Sequence, residues 1–463
     1  MNVTYLVVIL VAIASSVGYR GHVTGHRDDV PVGRFGAAFV AVACVVTLAS
    51  FALSLHIDAR AVAHQVAIRP QPPFWHVWDD GIPAPLWISD AALLVALVQS
   101  VALYAIYRLT QRRSGGWRTR SLVGGTSLGM LLLAAHATTL KSADLYAYAG
   151  IARLGFASYV PHAIFGGEYA AINHYWGTWM VPNVYGPLWT IVSHAVARPE
   201  FGIVRTMLAL RGIEIVAFIA IAMGLYAMKL GDGVVAVFAL NGAIVDQFIR
   251  DGHNDLFAIA LVIAAMVLAR FPAIAIVLVG GAIAIKISFV TVGTMVFVRY
   301  ASLAKRLLCA GAAIVLGCGV TLATVGTLYL RDLADVARRV VEDAPTHDIH
   351  MLAFALVLLA CAVALALRKF APGISYAYIS LGLLPLPWYV VWGFPYAIRS
   401  GVAGPFLVSL PFVLSVLSVS YAFTPLRAAI FFIAMAIALV VIVRAVRNGD
   451  FVRFLGSSPN ATR

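Results

Sequence analysis

Apolar runs of membrane-crossing length alternate with short polar breaks from one end of the chain to the other. A run of roughly 20 such residues suffices to suggest a bilayer-spanning helix. Measured against helix length, they mark candidate spans near 4–18, 34–55, 86–107, 121–140, 203–228, 233–249 and 254–269. Further candidates follow near 272–285, 287–298, 307–329, 351–368, 374–394, 403–420 and 427–445. The pattern predicts an all-α polytopic membrane protein of about 12–14 transmembrane helices, several of the shorter ones broken or re-entrant. The opening "MNVTYLVVILVAIASSVG" lacks a basic leading segment and is read as the first membrane helix, not a secretion signal.

Four polar stretches interrupt this pattern: 57–85, 142–185, 330–350 and the tail after 445. Within 330–350, five acids stand against three arginines, and Leu333, Val336 and Val340 recur at helical spacing. That spacing predicts an amphipathic helix on the membrane surface. Three segments are expected: N-terminal membrane helices over 1–120, a membrane core with outer loops over 121–400, and C-terminal helices and tail over 401–463.

Composition agrees with the pattern. The chain of 463 residues is 62% hydrophobic and 11% charged, with mean hydropathy +0.92, against about 25% charged in a soluble protein. A net charge of +13 would suit nucleic acid, but its distribution excludes that partner. Basic residues gather in short loops such as "RLTQRRSGGWRTR" (108–120) and "RYASLAKR" (299–306), and such loops stay in the cytoplasm. A cytoplasmic 108–120 sends 121–140 across the bilayer and delivers 142–185 to the outer face. Arg444, Arg447 and Arg453 in the tail also look cytoplasmic, which conflicts with the span count and implies one span miscounted in the C-terminal third. Cys44, Cys309, Cys318 and Cys361 all fall in apolar runs, so neither a disulfide framework nor a cysteine metal site is expected.

Several polar groups then stand out. Asp144 follows the 121–140 span and is either a solvated helix end or a chemical group; Ser142 and Asp144 also suit a helix cap before "LYAYAGIARLG". The loop after it gathers tyrosines, tryptophans, His162, Asn173 and His174 between turn residues. Such a set forms an interfacial aromatic belt, or holds sugar rings by stacking and hydrogen bonding. "VDQFIRDGHNDLF" (245–257) packs Asp246, Arg250, Asp251, His253, Asn254 and Asp255 between two apolar spans. Two acids and a histidine there are ligand types for a divalent cation, although no complete ligand set is legible. Lys286, flanked by apolar residues, costs ~2.5–3.5 kcal/mol at a helix centre unless it snorkels, and a buried phosphate is the functional alternative. Arg211 and Glu214 have the spacing of an intramembrane pair, and "PLPWYVVWGFPYAIR" (385–399) ends a span with Trp388, Tyr389 and Trp392.

Taken in order, an acid past a span in "DLYAY", then "YGPLW", "GHND", an intramembrane lysine and "PWYVVW" resemble the polyprenyl-phosphate-mannose-dependent mannosyltransferases of the type C membrane glycosyltransferase superfamily. The likeness covers roughly residues 120–400, which makes that segment the catalytic core and 1–120 an addition. It implies a hexosyltransferase that moves mannose from a polyprenyl-phosphate donor to a hydroxyl of a glycan or glycolipid on the outer face, with inversion. Asp144 stands at the catalytic general base, and Lys286 with Arg250 at the donor phosphate. Sugar and lipid contacts are expected from Tyr146, Tyr148, His174, Tyr185, His253, Asn254, Asp255, Trp388, Tyr389 and Trp392. No cofactor is implied beyond the divalent cation considered above. A transporter or lipid flippase using the intramembrane charges as a substrate path is the alternative.

Overall fold

The computed structural model describes residues 34–68, 85–111, 116–138, 144–160, 169, 183–342, 359, 361–363, 365, 366, 387–417, 425 and 429. In chain order the first helices are α1 (Arg34–Ile68), α2 (Leu86–Gln111), α3 (Trp117–His136), α4 (Asp144–Leu154), α5 (Pro187–Val196), α6 (Ile203–Ala227) and α7 (Asp232–Ala239). Then come α8 (Asp255–Val267), α9 (Pro272–Ile285), α10 (Phe289–Thr294), α11 (Leu303–Val325), α12 (Thr327–Glu342), α13 (Phe394–Arg399) and α14 (Ala403–Leu417). No strand occurs among the described residues, and the all-α membrane architecture expected from the pattern is what is seen.

Among the described residues, four helices are long and apolar enough to cross a membrane: Gly36–Ala67, Leu86–Gln111, Ile203–Ala227 and Leu303–Val325. Asp232–Ala239 with Gly242–Arg250, bent by 42°, adds a fifth if it is one span. The predicted 121–140 span is a helix, but α3 begins with two arginines and continues through Gly, Ser and Thr, which dilutes its apolar character. The shorter predicted spans from 254 to 298 are the apolar helices α8, α9 and α10, interrupted by Lys286 and the turns around it. The predicted span at 4–18, most of those at 351–368 and 427–445, and residues 374–386 of the one at 374–394 lie outside the described residues.

The chain divides into two units that are not consecutive in sequence. The first comprises Met1–Lys141, Leu225–Arg250 and Leu367–Arg463. Here α1 packs on α2 and α3, and α2 packs on α7 and α14, so the N-terminal helices are built into this unit. Tyr107 of α2 explains two glycines: a side chain at Gly233 or Gly404 would run into its backbone or ring. Asn241 holds the bend between α7 and Gly242–Arg250: its Oδ1 accepts from the Ile244 amide at 3.3 Å and its Nδ2 donates to the Leu407 carbonyl at 2.7 Å. The helix then widens into a π-turn over Val245–Arg250, a distortion that often marks a functional segment.

The second unit comprises Ser142–Gly224 and Asp251–Ala366. Its centre is α9, packed against α8, α11 and α5. Gly280 and Gly317 let α9 and α11 close up: a Cβ on Gly317 would stand 2.7 Å from the Gly280 carbonyl oxygen. Small residues serve such helix contacts in membranes because they admit backbone to backbone. Beyond α11, α12 covers the first half of the predicted amphipathic segment, with Tyr329 and Asp332 buried while Leu328 and Leu330 stay exposed.

Candidate active site

Within the second unit, four short segments bring their polar side chains together. Asp144 opens α4, where an acid in the first turn suits the positive end of the helix dipole. Tyr148 lies one turn on, on the same face, and its hydroxyl reaches Asp144 Oδ2 at 3.4 Å and donates to the Tyr185 hydroxyl at 3.0 Å. Its ring meets Tyr185 and Trp189 edge-on, at 4.9 and 5.6 Å between centroids. Burial, with the Tyr185 phenol and two carboxylates nearby, holds the Tyr148 phenol well above its usual range, so it remains a donor.

Tyr185 is fixed through the backbone around it. Asn183 Oδ1 accepts from the Tyr185 amide at 3.0 Å, and Asn183 Nδ2 donates to Ser158 Oγ and Thr190 Oγ1 at 3.0 and 2.8 Å. The Tyr159 hydroxyl donates to the Tyr185 carbonyl at 2.6 Å. The Gly186 amide donates to the Ile285 carbonyl at 2.7 Å, and a Cβ on Gly186 would fall on the Ala284 carbonyl. Only glycine permits this approach, and Pro187 then starts α5 where its missing N–H costs nothing. Tyr-Gly-Pro thus welds the end of the 142–185 loop to the end of α9.

Lys286 sits at that end. The candidate spans 272–285 and 287–298 meet at it, and there its backbone is extended (φ −152°, ψ 116°) and separates α9 from α10. Its Nζ donates to Asp255 Oδ1 at 2.7 Å and lies 5.7 Å from the centre of the Tyr185 ring. Asp255 is the first residue of α8. Just before it, His253 Nδ1 stands 3.2 Å from Asp144 Oδ2. Gly252 takes a left-handed backbone (φ +73°), and a Cβ there would strike Leu145.

Exposure separates two layers. The Asp144 and Lys286 side chains are 23% and 14% exposed and Tyr185 is partly exposed, whereas His253, Asn254 and Asp255 are wholly buried and Tyr146 and Tyr148 nearly so. The reachable groups are therefore a carboxylate, a phenol and an ammonium. The last five residues, expected as sugar or lipid contacts, are placed behind them. Glu214 of α6 is also buried, toward the Phe257 amide and Asp255.

Other expected site residues belong to the first unit or are not described. Arg250 belongs to the first unit, and its guanidinium, 0% exposed, is held by Asp58 of α1 at 2.7 Å and Asp246 at 2.9 Å. Two carboxylates occupy the cation expected beside a phosphate. Trp388, Tyr389 and Trp392 also belong to the first unit, as a mutually packed aromatic turn in which both tryptophans are buried. His174 lies outside the described residues. Among the described residues no three His, Cys, Asp or Glu side chains converge as a metal ligand set.

Sequence reasoning missed Asn183, Tyr159 and Asp58. An asparagine two residues before Tyr-Gly-Pro is a legible turn signal. Asp58 carried none, because its partner lies 192 residues away.

The helical membrane body and this acid–tyrosine–lysine cluster fit a mannosyltransferase of the membrane glycosyltransferase type. Residues 86–304, which contain the whole cluster, match the family described as alpha-(1->6)-mannopyranosyltransferase, N-terminal domain, and the match supports mannosyl transfer as the activity. No curated protein and no solved structure matches the chain significantly.

Proposed function

We propose that the protein transfers a mannosyl group from a polyprenyl-phosphate donor to a hydroxyl of a glycan or glycolipid acceptor, at the outer face of the membrane and with inversion. The observation that carries this reading is the partly exposed trio of Asp144, Tyr185 and Lys286 within the domain that matches the mannosyltransferase family.

Each group has one task. The acceptor oxygen bonds to the anomeric carbon while the bond from that carbon to the phosphate oxygen breaks. The phosphate departs with the electron pair as polyprenyl monophosphate, and the hydroxyl proton passes to Asp144. A carboxylate is a weak base, with an ordinary pKa of ~3.9. Asp144 therefore takes the proton late, as the hydroxyl gains positive charge. Lys286 faces the negative charge that grows on the leaving phosphate. An ammonium offers three donors, one of which goes to Asp255. Tyr185 presents a ring and a hydroxyl beside both groups, suited to a sugar. Arg250, enclosed by carboxylates, has no part in this scheme.

The family description adds an expectation for the product. An α-(1→6) linkage formed with inversion requires a β-linked mannosyl phosphate and a primary 6-hydroxyl on the acceptor. Purified protein given polyprenyl-phosphate β-mannose and a short α-(1→6)-mannoside should lengthen the acceptor by one α-(1→6)-linked hexose, read by mass spectrometry and NMR. Turnover with a nucleotide sugar and none with the lipid donor would overturn the proposal. The match to a transferase family supports an enzyme and lends nothing to the transport alternative.

A further inference from the structure

The turn Gly252-His253-Asn254-Asp255 carries three polar side chains, yet it is shut away from anything that enters the site: all three are wholly buried. A buried group touches no sugar, so its function must run through its neighbours. Those neighbours are the two reacting groups assigned above. His253 Nδ1 lies 3.2 Å from Asp144 Oδ2, and Asp255 Oδ1 accepts from Lys286 Nζ at 2.7 Å.

Resting on the reading of Asp144 as base and Lys286 as phosphate cation, we propose that this turn is a positioning clamp: His253 aims the base, Asp255 aims the cation, and the turn fixes the two relative to each other. A third contact supports the clamp. Gly252, in its left-handed conformation, rests on Leu145, the residue after Asp144, so the turn grips the start of α4 at two successive positions. Lys286 needs such a hold because it sits on extended backbone between two helices, and an unrestrained four-carbon side chain samples many rotamers. Each contact leaves its partner partly open: the Asp144 and Lys286 side chains keep 23% and 14% of their surface exposed.

The arrangement predicts a division between kinetic constants. Misplacing a reacting group by ~1 Å costs about 100-fold in rate, so His253→Ala should lower kcat about 10- to 100-fold with donor KM little changed. An asparagine amide can stand near the position of Nδ1, so His253→Asn should recover much of that loss. Asp255→Asn should instead weaken binding of polyprenyl monophosphate about 10-fold, the scale of one charge-assisted hydrogen bond. The sign decides between roles: a carboxylate that only competed with phosphate for Lys286 would give tighter binding when removed.

The experiment compares wild type, His253→Ala, His253→Asn and Asp255→Asn in detergent, by mannosyl transfer, by direct binding of polyprenyl monophosphate, and by thermal midpoint. The clamp is supported by a kcat effect confined to position 253 with asparagine rescue, and a binding loss at 255, at unchanged midpoints. It is overturned if both histidine variants lose kcat, binding and midpoint together, or if Asp255→Asn binds as well as wild type or better. A wild type that binds the lipid phosphate but transfers no mannose would sink the proposed activity, while the binding comparison at 255 still decides that arm. A wild type that fails to bind it overturns both.

Discussion

Two buried ion clusters invite comparison, one in each unit. Arg250 with Asp58 and Asp246, and Lys286 with Asp255, Asp144 and His253, each set basic groups against two carboxylates. In the first, the cation is 0% exposed and two carboxylates surround it. In the second, the cation and one carboxylate keep 14% and 23% of their surface open, and the acids are shared between two basic groups. A guanidinium closed off by two acids is a fastening between α1 and the π-turn. An ammonium with one acid and an open side is a binding group in waiting. The difference lies in how far each cation is open to what enters the site.

The largest effect expected to sharpen this contrast is at Asp144. Asp144→Asn should cut transfer by ~10²–10⁴-fold, the usual contribution of a general base, while polyprenyl monophosphate binding and yield stay near wild type. Wild-type turnover in that variant would remove the base assignment. The matching variant in the other cluster, Arg250→Met, strands two buried carboxylates and should cost about 3–5 kcal/mol of stability. It should appear as a lower thermal midpoint and poor recovery from the membrane; a well-folded Arg250→Met with a specific loss of donor binding would erase the distinction. Lys286→Met should weaken donor binding by ~10–100-fold, corresponding to about 1.5–3 kcal/mol for a hydrogen bond to a charged group, with the midpoint little moved.

The smallest effect concerns the phenols beside the site. Burial raises the Tyr148 and Tyr159 phenols above the usual value and pushes Tyr329 up to about 12. In the unfolded chain they ionise near pH ~10. Above that pH the unfolded state therefore binds fewer protons than the folded one, and stability falls. Their contribution should be intact below pH ~10 and decline above it, for Tyr329 until about pH 12. Thermal midpoints between pH 8 and pH 11 should show a downturn that Tyr148→Phe makes shallower; identical curves would argue against a buried, neutral Tyr148.

Much of this was legible in the chain, for physical reasons. Apolar run length announces membrane helices because each spanning segment must satisfy its own backbone. Asp144, Tyr185, the Gly-His-Asn-Asp turn and Lys286 stood out because polar groups are costly in so apolar a chain. Their roles were less legible. Histidine, asparagine and aspartate in one motif look like ligands for a sugar until burial shows which way they face. Arg250 and Lys286 look equivalent until their partners are known, and the partner of Arg250 is an aspartate in the helical segment that seemed an addition. Lys286 falls where two apolar runs meet, and Tyr-Gly-Pro docks there on the carbonyls of Ala284 and Ile285.

The Gly252 turn has one more consequence, for the lengths the chain can tolerate. A single residue, Asn254, separates His253 from Asp255, so the spacing between the proton acceptor and the phosphate cation is measured along a single stretch of backbone. Each residue of extended chain spans about 3.3–3.6 Å, and even one inserted or deleted residue would exceed the distance of either contact. Surface loops absorb such changes at little energetic cost. This tetrapeptide acts as a ruler, and its length is as much a part of the chemistry as the side chains it carries.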